Sequence, residues 1–243
     1  MASTEAPARP VQDYARLAAV VWVLAAAELT AHFTSGTVSH LAVPVGVLAA
    51  LVVAVAGRGG LSARELGLAR DTWGRGARWG AALALVVTLV VVLVAVIPAT
   101  RDVFLDDRYD NGAGEALLTG LVLVPLQTVL PEELAFRGVV LGLLLRRLGA
   151  RWAVVASSVL FGLWHVTSAI GLTDENQAVG DHLGRGLAGD LAGIGGAVLA
   201  TAAAGVVLCW LRLRTGSLLA PVGLHWAVNG VAVLVSALVW ATV

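Results

Sequence analysis

Ionisable and amide side chains interrupt three strongly apolar segments of this sequence. In chain order, the residues of interest are Glu132, Glu133, Arg137, Phe161, His165, His225 and Asn229. Placing an ionised group in the hydrocarbon core costs on the order of a few kcal/mol unless the group faces a polar interior and finds partners. Their presence therefore predicts a functional site inside a membrane.

A carboxylate and two imidazoles suit the activation of water. Glu132 can act as the general base, or Glu132, His165 and His225 can hold a divalent metal, for which zinc is the best match. Asn229 is spaced either to orient His225 or to donate a hydrogen bond to a developing oxyanion. Glu133 lies four residues before Arg137 on one helix face, which predicts a structural ion pair.

A further pair of ionisable residues lies in the N-terminal half of the sequence, apart from these motifs. Glu28 and His32 lie four residues apart near the outer end of the first apolar segment. We interpret them as a pair at the membrane interface, outside the proposed pocket.

The composition is that of a polytopic membrane protein. Hydrophobic residues make up 58% of the 243 residues and charged residues 13%, and the mean hydropathy is +0.87. Runs of about 20 apolar residues can cross a hydrocarbon core of about 30 Å. We predict an all-α bundle of about seven transmembrane helices around an intramembrane polar catalytic pocket. The predicted spans lie near residues 16–34, 38–56, 79–98, 115–147, 152–171, 190–211 and 217–240.

The fourth predicted span is too long for a simple crossing. About 33 residues at 1.5 Å each extend about 50 Å, and Pro125 and Pro131 interrupt the segment. It is therefore either one tilted and kinked helix or two shorter helices.

Arginine is distributed unevenly between the two predicted sides of the membrane. With seven spans, the side that receives the N-terminal tail carries twelve arginines, whereas the other side carries only Arg101, Arg108 and Arg185. Positive charge accumulates in cytoplasmic loops. We therefore expect the N-terminus inside and the C-terminus outside a bacterial cytoplasmic membrane.

Taken together, the polar motifs resemble the CAAX protease and bacteriocin-processing family, whose members are intramembrane endopeptidases related to the Ras-converting CAAX prenyl protease. The resemblance covers roughly residues 115–240. It rests on a pair of glutamates followed by an arginine, a phenylalanine and histidine spaced by four, and a histidine and asparagine spaced by four. All of these occur in the expected order and in apolar surroundings.

The resemblance implies a role for each matching residue. The implied catalytic residues are Glu132, His165, His225 and Asn229. Glu132 would activate water with His165, while His225 and Asn229 would stabilise the oxyanion or complete a metal site. The implied supporting residues are Glu133, Arg137 and Phe161.

This interpretation also predicts the organisation and partners of the chain. We expect a disordered cytoplasmic tail over residues 1–14, transmembrane helices and a cytoplasmic linker over 15–114, and the catalytic bundle over 115–243. The expected partners are the lipid bilayer and a membrane-bound protein or peptide substrate, without nucleic acid. Metal-assisted hydrolysis and hydrolysis by a glutamate and histidine alone both remain open.

Two other functions fit the same residues less well. A proton-coupled transporter could relay protons through glutamate and histidine, but many such folds contain internal repeats and this sequence has none that we recognise. A non-catalytic immunity or scaffold protein could keep the fold, although it would have no need for the intact set of catalytic residue types.

Overall fold

The chain forms a bundle of apolar helices. The computed structural model describes residues 10–57, 59–105 and 112–242, and this part of the chain contains helices and no strand. Six of the described helices are long and apolar enough to cross a membrane. The prediction of a polytopic all-α bundle is confirmed.

The long helices are labelled in chain order. They are α1 (Pro10–Phe33), α2 (Gly36–Val55), α3 (Trp73–Val96), the 52-residue helix Ala113–Trp164, which divides at Gly149 into α4 (113–148) and α5 (150–164), α6 (Leu187–Thr215) and α7 (Leu219–Trp240). Short helices connect them at Ala63–Leu66, Pro98–Arg101, Leu172–Glu175 and Gln177–Leu183.

The longest helix reverses its direction at Gly149. The backbone there has φ 69° and ψ 166°, a conformation that glycine adopts without steric cost. Arg147 at the end of α4 binds Asp13 near the start of α1, whereas Thr167 just after α5 binds Glu28, about four turns farther along α1. The six continuous helices therefore provide the seven predicted spans.

Helix α1 begins six residues earlier than predicted. Pro10 suits a first helical position because it lacks the N–H that would stay unpaired there. The negative charge of Asp13 in the first turn interacts favourably with the positive end of the helix dipole. Residues 10–14 of the predicted tail are consequently helical. The rest of that tail, residues 1–9, lies outside the described residues.

Helix α4 remains one helix through its two prolines. The segments Thr119–Val129 and Glu133–Val140 are π-helical, and the Leu130 N–H donates to the carbonyl of Pro125, five residues earlier. A proline removes a backbone donor that regular α-helix needs, and π-helical turns occur frequently at functional sites. Pro131 lies between the two π-helical segments, directly before the two glutamates.

Several helix ends meet in a charged cluster that we call the basic end. Asp13 is 1% exposed, binds Arg147 and lies 3.6 Å from Arg146. Arg146 also binds the Glu65 carboxylate at 2.6 Å, and Arg212 on α6 donates to the Glu65 carbonyl at 2.8 Å. The start of α1, the end of α4, the α2–α3 linker and the end of α6 therefore lie at one end of the bundle, as the arginine distribution predicts.

Glycines allow close contact between α3 and α7. A Cβ at Gly223 would lie 2.6 Å from the Cα of Gly80, and a Cβ at Gly80 would lie 2.5 Å from the carbonyl oxygen of Leu219. Small residues allow helix backbones to approach closely in membrane proteins. The contact lies on α7, which carries His225 and Asn229.

Candidate active site

Glu133 and Arg137 form the buried base of the site. Both side chains are 0% exposed, and Arg137 Nη1 lies 3.2 Å from Glu133 Oε1. The guanidinium carbon of Arg137 lies 3.8 Å from the ring centroid of Phe161, within the range of a cation–π interaction. The ion pair predicted from the four-residue spacing is present, and Phe161 packs directly against it.

Glu132 lies at the meeting point of the three motifs. Its Oε1 accepts a hydrogen bond of 3.1 Å from the indole N–H of Trp164. Its Oε2 is buried and has no hydrogen-bond partner among the described residues. That oxygen lies 3.9 Å from Nε2 of His165 and 3.8 Å from Nε2 of His225. The structure therefore brings together the carboxylate and both imidazoles that the sequence singled out.

His165 lies just beyond the end of α5, not within a helix as predicted. The last turn tightens, with the His165 N–H donating to the Gly162 carbonyl, and the backbone at His165 has φ −87° and ψ 7°. Its Nδ1 lies 2.8 Å from the Phe161 carbonyl, which can only accept. Nδ1 therefore carries the hydrogen, and in the neutral ring Nε2 presents a lone pair toward Glu132.

Both ring nitrogens of His225 have protein partners. Nδ1 lies 2.8 Å from Glu133 Oε1, so it donates to that carboxylate, and Nε2 lies 3.2 Å from the side-chain nitrogen of Asn229. Asn229 is held in the π-helical turn Ala227–Val231 of α7. The contact between Asn229 and His225 is the one that the orienting role requires, and both roles predicted for Asn229 stay predictions.

A cavity of about 690 Å³ opens beside these residues, a size typical of ligand pockets. Glu132, His165, His225 and Asn229 line one part of it. Further polar residues on its walls are Glu28, Gln127, Thr128, Ser168 and Thr201. A cavity lined by the predicted polar residues is thus present between the helices.

The cavity residues Trp164 and Glu28 were not among the site residues predicted from the sequence. Trp164 donates a hydrogen bond to Glu132. The sequence feature that could have indicated this contact is a tryptophan in an apolar helix, because a buried indole N–H needs an acceptor. Glu28 was interpreted as one of an interfacial pair with His32. Glu28 instead lines the cavity, and its carboxylate accepts a hydrogen bond from the Thr167 hydroxyl.

The side chains predicted to hold a metal are close together but not arranged as a metal site. Across the described ranges, no group of three or more His, Cys, Asp or Glu side chains has a geometry that holds a metal ion. The distances from Glu132 Oε2 to the two histidine Nε2 atoms are 3.9 and 3.8 Å. A divalent metal on Glu132, His165 and His225 stays a prediction.

The segment that carries these residues matches a known protein family. Residues 114–231 match the family model described as type II CAAX prenyl endopeptidase Rce1-like. These residues belong to the Rce1-like family. The matched segment contains every site residue predicted from the sequence, and the resemblance to CAAX proteases is confirmed. The Rce1-like family is a protease family, which supports peptidase activity for this membrane protein. No curated protein and no solved structure matches the chain.

Proposed function

We propose that this protein is an intramembrane endopeptidase in which Glu132 activates water to hydrolyse a peptide bond of a membrane-associated protein or peptide. The observation that carries the proposal is the unpaired Oε2 of Glu132, which lies on a cavity wall 3.9 Å and 3.8 Å from two histidine Nε2 atoms. A carboxylate oxygen with open lone pairs in a cavity suits a general base.

The first chemical step transfers one proton from water to Glu132. His165 Nε2 accepts the hydrogen bond of the other water hydrogen, because its Nδ1 already donates to the Phe161 carbonyl. The hydroxide forms a bond to the scissile carbonyl carbon, and the carbonyl oxygen becomes an oxyanion. Asn229 carries the amide donor nearest His225 and is proposed to stabilise this oxyanion.

The second step breaks the carbon–nitrogen bond of the intermediate. Glu132 returns the proton to the departing amine, so that the carboxylate is regenerated and the substrate acquires a new amino and a new carboxyl terminus. Glu133 and Arg137 stay outside the proton transfers. Glu133 fixes His225 through Nδ1, and Arg137 balances the charge of Glu133.

We further propose that the protein acts in a bacterial cytoplasmic membrane, with the basic end facing the cytoplasm. The proposal is supported by the arginines gathered at that end and by the positive-inside rule. The substrate would then be a protein or peptide held in the same bilayer.

The proposal can be tested with quenched fluorescent peptides, prenylated and unprenylated, in proteoliposomes. We expect the wild type to cleave a subset of them and Glu132→Gln to be slower by about 10²- to 10⁴-fold, the usual contribution of general acid–base catalysis. Glu115→Gln is the control, because Glu115 is an exposed carboxylate near the start of α4. Equal rates for Glu132→Gln and the wild type would refute the proposed base, and proton flux without cleavage would favour a transporter.

A further inference from the structure

The turn that carries His165 is fastened to α1. Helix α5 ends at Trp164, and the chain continues through a 3₁₀ turn at Thr167–Ala169. The Thr167 hydroxyl donates a short hydrogen bond to Oε1 of Glu28, which is 139 positions away in the sequence. The turn that follows His165 is therefore joined by a side-chain hydrogen bond to a segment distant in the sequence.

The other hydrogen bonds of this turn are local. The Ala169 N–H and the Ser168 hydroxyl both donate to the His165 carbonyl, at 3.2 and 3.3 Å. His165 Nδ1 binds the Phe161 carbonyl on the preceding helical turn. These bonds shape the turn but do not fix it against the neighbouring helices. Among the described residues, the side-chain hydrogen bond from this turn to another helix is the one between Thr167 and Glu28.

Glu28 places an ionisable group within the apolar helix α1, where such a group is energetically unfavourable. An ionisable side chain within a membrane-spanning helix calls for a functional explanation. Its carboxylate lines the catalytic cavity and also an adjoining, mostly apolar cavity of about 260 Å³ between α1 and α5. A hydrogen bond to an ionised carboxylate is roughly twice as strong as one to a neutral acceptor.

We propose that Glu28 is a positioning residue for catalysis: by accepting the Thr167 hydrogen bond, it fixes the turn that begins at His165 and so directs His165 Nε2 toward Glu132 Oε2. This inference rests on the proposed peptidase mechanism, in which both atoms contact the same water. A displacement of about 1 Å in such a geometry can lower the rate about 10²-fold.

The test uses two pairs of substitutions that separate the hydrogen bond from other effects. Glu28→Ala and Thr167→Val each remove one side of the bond, whereas Glu28→Gln and Thr167→Ser each keep a group that can form it. We expect the first pair to lower kcat by about 10- to 100-fold with little change in KM. The conservative pair should retain most of the activity.

A double variant tests whether Glu28 and Thr167 act through the same contact, and a control variant tests the effect of a substitution elsewhere on α1. Glu28→Ala combined with Thr167→Val should be no slower than either single variant, because both remove the same contact. His32→Ala is the control, since His32 is exposed on the same helix one turn farther on. Thermal unfolding in detergent checks that each variant is folded, and the Thr167 pair suffices for the test if Glu28→Ala does not fold.

The possible outcomes are distinct. Wild-type kcat in both Glu28→Ala and Thr167→Val would overturn the inference. Inactivity of Glu28→Gln alongside full activity of Thr167→Val would also overturn it, and would assign the charge of Glu28 to binding a cationic group of the substrate. An active Glu132→Gln variant, measured in parallel, would instead refute the proposed function itself.

Discussion

At the scale of single residues, Glu133 connects the charged groups of the site. Its Oε1 lies 3.2 Å from Arg137 and 2.8 Å from His225, and all three side chains are buried. Removing one partner of a buried ion pair usually costs about 3–5 kcal/mol, because the remaining charge is left uncompensated. The pair therefore links the stability of α4 to the orientation of His225.

This link predicts that a second substitution restores part of the stability that a first one removes. Arg137→Met should destabilise the protein by about 3–5 kcal/mol, since it leaves Glu133 buried without its cation. Adding Glu133→Gln to that variant should restore part of the stability, because position 133 then carries no buried charge without its cation. Thermal unfolding of the single and double variants in the same detergent measures both effects. A double variant less stable than Arg137→Met would contradict this account of the pair.

At the scale of helices, the sequence predicted local relations but not the contacts between distant segments. The four-residue spacing predicts that Glu133 and Arg137 meet, because one helix carries both. The bond between Glu133 and His225 joins positions 92 residues apart, and the bond between Trp164 and Glu132 joins positions 32 apart. Such contacts depend on the rotation and spacing of packed helices, which hydropathy does not encode.

Helix ends were likewise only partly predictable. Hydropathy placed His165 inside a span, yet α5 ends one residue before it. The end of α5 coincides with a tightened last turn and with contacts of the following residues with α1, including the hydrogen bond from Thr167 to Glu28. The sequence therefore predicted which residues form the site, but not how the backbone orients them.

The contact of α3 with α7 gives a prediction at this scale. Gly223→Ala should lower both stability and activity, because its Cβ would lie 2.6 Å from the backbone of Gly80 and no side chain can move to relieve the clash. Gly74→Ala on α3 is the control, since a Cβ there meets nothing within 4 Å. Unfolding temperature and specific activity are the measurements. Equal behaviour of the two variants would show that this contact does not position α7.

At the scale of the whole molecule, the bundle has two chemically different ends. The basic end gathers Arg16, Arg146 and Arg147 around Asp13, and Arg146 and Arg212 beside Glu65. The opposite end carries Asp174 on the short helix after the His165 turn, and Asp190 at the start of α6. Because positive charge is retained in the cytoplasm, this asymmetry supports an N-terminus inside.

Cysteine labelling tests that orientation. The single native cysteine, Cys209, is buried on α6 and is replaced by alanine to give a cysteine-free background. In intact cells, a membrane-impermeant maleimide should label Asp174→Cys and leave Arg70→Cys unlabelled, whereas permeabilised cells should show both. Both positions are exposed in the structure. The reverse pattern in intact cells would contradict the proposed orientation.

The central claim is that Glu132 makes this protein a peptidase. The most direct measurement is mass spectrometry of new protein termini in membranes from cells that express the wild type, Glu132→Gln or Glu115→Gln at matched levels. The account predicts termini that appear with the wild type and with Glu115→Gln and are absent with Glu132→Gln, at sites within or next to membrane segments of the substrates. Profiles that are the same for all three proteins under several growth conditions would contradict it.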